Sequence, residues 1–445
     1  MYEYRTEVDA QAYVSPTSPF MNVPRPAATV GDASVRVVAL LALAAFINYV
    51  DRGNLATAGP LIREQFALSN TQLGLLLSAF FWSYAPGQLS AGWLAERLDA
   101  RLVLAGGLII WGLATAVTGL ASGFLLLLVL RVMLGIGESV MYPASFKILA
   151  LEIREEQRGR ANGFLAAGQI SGPAFGTLVG GLLMAWFGWR IVFLVLGGAS
   201  LLWLWPWLTT ARSNIPRRSQ DTSEGPSTMQ LLGRRELWGS CLGGFCEAYP
   251  FYLVLTWLPV YLVKARGFTM VEMAQMAAGV YAASATASVL TGWVCDRWMQ
   301  AGAGTNRVRM SAILTGLAGV AACLGVCAIA GPLGSLLAMV GCGVFLGILV
   351  PAYFASAQTL AGPGAAARWF GVQNFVANIA GISAPVITGV VVDRTGSFSS
   401  AFLIAAVLSL AGIAAFGLIV RRIELIDWHT TERDGRGPER ASAGF

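Results

Sequence analysis

The sequence predicts an all-α membrane protein of twelve transmembrane helices arranged as two six-helix pseudo-repeats. Three observations carry that expectation. Of 445 residues, 56% are hydrophobic and only 12% charged, which is more apolar surface than one water-soluble core can hide. Apolar windows of about 20 residues, the length a helix needs to cross ~30 Å of hydrocarbon, recur along nearly the whole chain. SAGWLAERLDARL (90–102) also finds an echo in LTGWVCDRWMQAG (290–302), an offset of 200 residues.

The elements follow in order. A polar leader (1–34), bearing Pro and Ser and no small-residue cleavage motif, precedes the first apolar window, so no removable signal peptide is expected. Helix 1 (35–57) is apolar apart from NYVDRGN. Helix 2 (71–95) closes in SAGWLAERLDARL, and helix 3 (102–121) is uniformly apolar. Helix 4 (123–147) contains RVMLGIGESVMYPA, helix 5 (161–187) contains GQISGPAFG, and Gly-Trp-Arg (188–190) opens helix 6 (189–209). The longest polar connection, SNIPRRSQDTSEGPSTMQ (213–230), lies in a linker (210–236) between a first bundle (35–209) and a second (237–420). Helix 7 (237–263) carries LGGFCEAYPFYLVLTWLP, and helix 8 (272–297) closes in the echo of helix 2. Helices 9 (308–329) and 10 (332–358) are apolar, helix 11 (369–393) begins RWFGVQNFVANIAG, and helix 12 (398–420) precedes a polar tail (421–445).

Lys and Arg gather in the connections after even-numbered helices. With the N-terminus inside, that asymmetry obeys the positive-inside rule and places both termini in the cytoplasm, with the protein in the inner membrane. The net charge of +6 therefore reads as topology; the basic residues form no continuous patch for nucleic acid. All six cysteines lie in helices of the second half without the spacing of a metal pair, and the single histidine, His429, is in the tail. No Cys/His metal site is expected in the membrane, and no cofactor. A phosphate-cradling glycine loop is missing too, so the energy source is expected to be a proton gradient. Without a nucleophile–histidine or metal constellation, the chain does not read as an enzyme.

A second echo pairs GGLLMAWFGWRIVF (180–193) with GVVVDRTGSFSSAF (389–402). Duplication of a six-helix unit puts a transport site near the midplane between repeats. The loop after helix 2 carries Gly92, Leu94, Glu96, Arg97 and Arg101, matched in the second half by Asp296 and Arg297. It resembles the signature Gly-x-Leu-x-Asp-Arg-x-Gly-Arg of major facilitator superfamily transporters, with Glu96 in place of Asp and Asp99 in place of the second Gly. The resemblance extends over nearly the full chain. It implies that these loop residues pin neighbouring helix ends and gate the transport cycle. Asn-Tyr-x-Asp-Arg in helix 1, Arg-x6-Glu in helix 4 and Gly-Trp-Arg before helix 6 together resemble the anion:cation symporter family. That likeness implies transport of sugar acids, aromatic carboxylates or other organic anions, generally with protons.

The buried charges give an independent reading. Of 24 acidic residues only Asp51, Glu138 and Glu247 fall well inside predicted helices, and of 30 basic residues only Arg52 and Arg131. Each costs about 2.5–3.5 kcal/mol at a helix centre, so function is the default explanation. Asn48, Asp51 and Arg52 share a face of helix 1, as do Arg131, Gly135, Glu138 and Tyr142 in helix 4. The spacing leaves open a structural alternative, buried ion pairs of Asp51 with Arg131 or Glu138 with Arg52 that only orient helices. Arginine offers a planar fork for a substrate carboxylate. With no histidine in the membrane, proton coupling falls to Asp51 and Glu138.

By the same family resemblance, Tyr84 and Gln169 occupy positions like sugar-acid contacts. Gln373, Asn374 and Asn378 lie within about a turn of one another in helix 11 and are candidates for the opposite wall, ahead of Ser356 and Gln358. Glu247 stands where the family commonly carries an uncharged polar residue, so it either selects substrate or sits near the interface. Gly168, Gly172, Pro173 and Gly176 read as a close helix contact, but also resemble a motif of proton antiporters. The expected function is import of a small organic anion, a sugar acid or other carboxylate, with protons. The partners are that anion, protons and the lipid bilayer, with no nucleic acid, and the monomer suffices. The alternative is a proton-driven antiporter exporting amphipathic compounds.

Overall fold

A computed structural model describes residues 32–153, 155–210, 226–362 and 365–428. The leader to 31, residues 211–225 of the linker and the tail from 429, with His429, lie outside the described residues. Among the described residues every regular element is helical. Hydrocarbon offers no water to backbone N–H and C=O groups, and a helix pairs them within one segment.

Twelve rods result. They are α1 (Asp32–Gln65), α2 (Asn70–Arg97), α3 (Ala100–Thr118), α4 (124–152), α5 (155–187), α6 (189–209), α7 (Arg235–Ala265), α8 (Met270–Gln300), α9 (Thr305–Ile329), α10 (Pro332–Ala361), α11 (Ala366–Thr395) and α12 (Ser399–Val420). Nine stretches among the described residues are long and apolar enough to cross a membrane. One of them, Gly163–Thr209, is two rods meeting at Gly188, whose φ of 75° suits glycine alone; α1 and α2 complete the twelve.

Two helices depart from expectation. The fourth is broken at Val140 into Phe124–Ser139 and Met141–Glu152, because Pro143 lacks an N–H and its ring crowds the carbonyl of Ser139. The first runs on to Gln65, well past the expected end at 57. Its last turns pack against the second half, with Gly59 beside Val260, instead of entering solvent.

The duplication read from short echoes is visible in the packing. In the first half α1 packs on α5, α2 and α3 on α4, and α3 on α6; in the second, α7 packs on α11, α8 and α9 on α10, and α9 on α12. Each pairing recurs six helices later. Even the helix starts repeat: Ser69 and Gln72 form a reciprocal capping box at α2, and Thr269 and Glu272 form one at α8, 200 residues on.

Connections after even-numbered rods share one face of the bundle, here the linker face, and those after odd-numbered rods share the far face. The glycine row of α5 is a close helix contact. A Cβ at Gly168, Gly172 or Gly176 would come within 2.4 Å of the Ala42 carbonyl, 2.9 Å of the Phe46 carbonyl and 3.0 Å of the Val50 carbonyl. Only bare backbone lets α5 lie this near α1, which holds the charged stretch against its neighbours.

The halves are tied together at the far face. The Asp393 carboxylate of α11 sits on the first turn of α2, accepting from the backbone N–H groups of Asn70 (3.0 Å) and Thr71 (2.7 Å) and from their side chains (2.8 and 2.6 Å). Beside it Lys264 meets Glu64 at 2.7 Å. Gly74 and Gly389 let the two backbones touch, since a Cβ on either would lie 2.3 Å from a carbonyl oxygen of the other half.

Candidate functional site

Between the halves lies a cavity of about 40 Å³, room for a few waters. Tyr49, Arg52, Phe80 and Arg131 line it from the first half, and Phe251, Tyr252, Leu255 and Thr256 of α7 from the second. Both arginines expected at a substrate site therefore face one chamber.

The two ion pairs left open by spacing resolve into one. Arg52 Nε donates to Glu138 Oε2 at 2.9 Å, with 8% and 0% of the two side chains exposed. The Arg52 guanidinium also lies against the rings of Tyr84 (4.3 Å), Tyr49 (4.7 Å) and Phe80 (4.9 Å), an aromatic cage that stabilises a desolvated cation. Arg131 forms no such pair. It lies 5.3 Å from the Phe80 ring, and no hydrogen bond or ion pair engages it among the described residues.

Asp51 departs from the shared face expected for helix 1. Successive helical residues point about 100° apart, so Arg52 turns to the cavity while Asp51 turns to α3, where Thr115 Oγ1 donates to it over 3.5 Å. Asp51 is 2% exposed and has no cation at ion-pair distance. Asn48 is fully buried beside Glu138, and neither of its amide atoms finds a hydrogen-bond partner.

A chain of hydrogen bonds joins the cage to the second half. Gln88 Nε2 donates to the Tyr84 hydroxyl (2.7 Å), and Asn374 Nδ2 donates to Gln88 Oε1 (2.9 Å). Asn378 Nδ2 donates to the Asn374 carbonyl (2.9 Å), and the Tyr252 hydroxyl donates to Asn378 Oδ1 (3.0 Å). Tyr84, Asn374 and Asn378 thus converge. Gln373 faces away from them, buried with both amide atoms unpartnered. Gln169 accepts from the Tyr142 hydroxyl at 2.9 Å. Ser356 is spent on the Tyr353 carbonyl (2.7 Å), and Gln358 is exposed.

Sequence reasoning passed over Gln88, Tyr49, Phe80 and Tyr252. The signal for Tyr49 was its place in the quoted stretch; nothing local marks Gln88, whose partner lies 286 positions away.

The loop residues divide. Arg101 is buried at the start of α3, reaches both oxygens of Glu152 (2.8 and 2.5 Å) and donates to the Thr210 carbonyl. It links the linker-face ends of α3, α4 and α6. Arg97 is exposed, and the surroundings of Gly92 and the side chain of Glu96 lie outside what is described. The second-half counterpart differs from expectation. Asp296 and Arg297 are exposed and unpaired with each other, and Arg297 lies 4.4 Å from the ring of Trp293 on its own helix. Adjacent helical positions diverge, which keeps the two from pairing with each other, and among the described residues no ion pair joins either to another rod.

A repeated bundle of twelve membrane helices enclosing a charged chamber defines a membrane transporter, not an enzyme. The chain matches the Major Facilitator Superfamily over residues 41–385 and belongs to that family. It is 30% identical over 398 residues to the probable sulfoacetate transporter SauU of Cupriavidus necator, spanning 85% of this chain and 92% of that one. It is likewise 30% identical over 407 residues to a probable L-galactonate transporter of Escherichia coli, with 86% and 88% covered. Against the hexuronate transporter of Bacillus subtilis it is 29% identical over 400 residues, with 87% and 94% covered. Among solved structures, a bacterial homolog of the human lysosomal transporter Spinster, inward-facing and unoccupied, superposes with a TM-score of 0.74 at 20% identity. That match covers 88% of this chain and 98% of the other.

Proposed function

We propose that this chain is a secondary transporter of the inner membrane, with both termini cytoplasmic, that imports a small organic anion together with protons. The anion is a sugar acid or another carboxylate. The observation that carries this reading is Arg131: a cation 6% exposed, lining the chamber between the halves, with no acceptor from the described residues. A buried charge without a hydrogen-bonded counter-ion is costly in an apolar interior, and an entering carboxylate reduces that cost.

Coupling follows from the Arg52–Glu138 pair. While Glu138 is ionised it engages Arg52, and an anion must compete for the same fork. A proton on Glu138 dissolves the pair and frees Arg52 Nε, so anion and proton bind more strongly together than apart. Asp51, which accepts from Thr115 and has no cation at ion-pair distance, is the second carboxyl suited to hold a proton in this interior. Tyr84 and Gln169 contribute a hydroxyl and an amide for substrate hydroxyls, and Asn374 and Asn378 form the facing wall. The chamber holds only waters with the far face closed, so substrate admission requires the halves to rock apart, as alternating access provides. The transporter works as a monomer, each chain carrying a complete chamber.

The test is uptake into proteoliposomes of labelled aldonates, hexuronates, aldarates and aromatic acids under an inward proton gradient. Accumulation of at least one supports symport. If none enters, or if accumulation requires an outward proton flow, the reading fails.

A further inference from the structure

The mechanism leaves one buried carboxylate without a task. Glu247 on α7 is 8% exposed, and no hydrogen bond or ion pair engages it among the described residues. It does not stand alone. One turn before it, Gly244 lies directly against the Tyr353 hydroxyl of α10, so close that a Cβ on Gly244 would be 1.8 Å from that oxygen. The same hydroxyl is within electrostatic reach of Glu247, one turn on from Gly244, and within hydrogen-bonding reach of the Gln373 amide of α11. Tyr353 is 3% and Gln373 1% exposed, and the Tyr353 oxygen and both Gln373 amide atoms lack partners. Three helices thus bring an acid, a hydroxyl and an amide near one spot, where the acid has no hydrogen-bond or ion-pair partner among the described residues and the hydroxyl and amide face each other without a well-formed hydrogen bond. Such groups are costly when empty, and a ligand that fills them recovers the loss.

The cluster adjoins the chamber. Phe251, which lines it, is four residues along α7 from Glu247 and on the same face. The chamber therefore has cations on its first-half wall and, about one helical turn (~5.4 Å) towards the linker face on the second-half wall, an acid with hydrogen-bonding neighbours.

We propose that Glu247, Gln373 and Tyr353 form a second subsite that receives the hydrogen-bond-donating end of the substrate, a hydroxyl or an ammonium, while Arg131 holds its single acid group. This rests on the organic-anion reading and narrows it: the transporter selects monoacids over diacids of the same length. A second acid group placed in the subsite must face the Glu247 carboxylate or arrive with an extra proton, and either lowers its affinity. Like charges about 6 Å apart at an effective dielectric near 20 predict a discrimination on the order of a hundredfold.

The test is a set of dissociation constants for the purified full-length protein with galactonate, galactarate and 6-aminohexanoate, measured by calorimetry on wild type and Glu247→Gln. In the wild type, galactonate or 6-aminohexanoate binds at least about tenfold tighter than galactarate, and whichever binds more tightly identifies the donor as hydroxyl or ammonium. In Glu247→Gln the gap to galactarate narrows to within about threefold. Wild-type galactarate binding as tight as that of the monoacids overturns the subsite, and needs no variant to fold. An unchanged ratio in Glu247→Gln, with wild-type melting behaviour, overturns it also. If neither monoacid binds the wild type, or they bind with the wrong ratio, the subsite is refuted alone; the organic-anion reading falls only if the whole transport panel also fails to enter.

Discussion

Removing the Asp393 carboxylate is predicted to open the far face. Its two oxygens accept four hydrogen bonds from Asn70 and Thr71, at 2.6–3.0 Å, at the start of α2. Negative charge at a helix N-terminus is also favoured by the helix dipole. Hydrogen bonds to charged groups contribute about 1.5–3 kcal/mol each when shielded. Asp393 is exposed, so competition from water reduces each to about 0.5–1 kcal/mol. Asp393→Ala removes all four, about 2–4 kcal/mol, and shifts the balance towards the far-face-open state by about 30- to 1,000-fold. Asp393→Asn presents an amide nitrogen to one pair of donors, losing two bonds for about 1–2 kcal/mol, or about 5- to 30-fold. The pair Glu64–Lys264, with Glu64 72% exposed, contributes little by comparison, so Lys264→Met is the control. Spin labels at Leu120 and Ile329, which are 63% and 87% exposed on the far face of opposite halves, report the separation by electron–electron double resonance. A longer-distance population that grows from Lys264→Met to Asp393→Asn to Asp393→Ala is expected. Identical distributions in all three, with melting temperatures unchanged, would refute the latch.

Three further outcomes follow from the same geometry. Arg131→Met should abolish anion binding, by calorimetry, while leaving thermal stability equal or higher by about 1–3 kcal/mol, because it removes a buried charge that the protein does not itself pair. Glu138→Gln should keep substrate exchange in proteoliposomes while losing proton-driven accumulation, since the Arg52 fork is released permanently; Glu138→Ala, which strands the guanidinium, should in addition destabilise by about 3–5 kcal/mol. Gly172→Ala should cost about 1–3 kcal/mol in unfolding experiments, because its Cβ would sit 2.6 Å from the Tyr49 Cβ and overpack the α1–α5 contact. A neutral Gly172→Ala would show that α5 is free to move away from α1.

Much of this architecture was legible from residue order. The twelve rods follow from apolar windows, because a bilayer accepts few other ways of satisfying a backbone. Even the split at Gly188 and the glycine row of α5 were visible, since both act through local backbone chemistry. The break at Val140 was less so, because an apolar window does not register one proline's effect on the preceding turn. Among the site residues, the charge census alone placed Arg52, Arg131, Glu138 and Asp51 in the interior, since unneeded charges do not persist in hydrocarbon.

Which charge meets which was decided only by the tertiary structure. Spacing allowed Asp51–Arg131 and Arg52–Glu138 equally; the pitch of α1 against α2, α3 and α4 sends Arg52 to Glu138 and Asp51 to Thr115, leaving Arg131 without an ion pair among the described residues. Asp393 read as an ordinary helix end, yet its partners lie more than 320 positions earlier. Periodicity reports which face of a helix a residue occupies, but not which helix lies opposite. That depends on how two folded halves dock, through contacts no local pattern encodes. The sequence by itself determined that this is a twelve-helix membrane protein with five charges to justify; the docking of its halves determined that one arginine is bound, one is open and one face is latched.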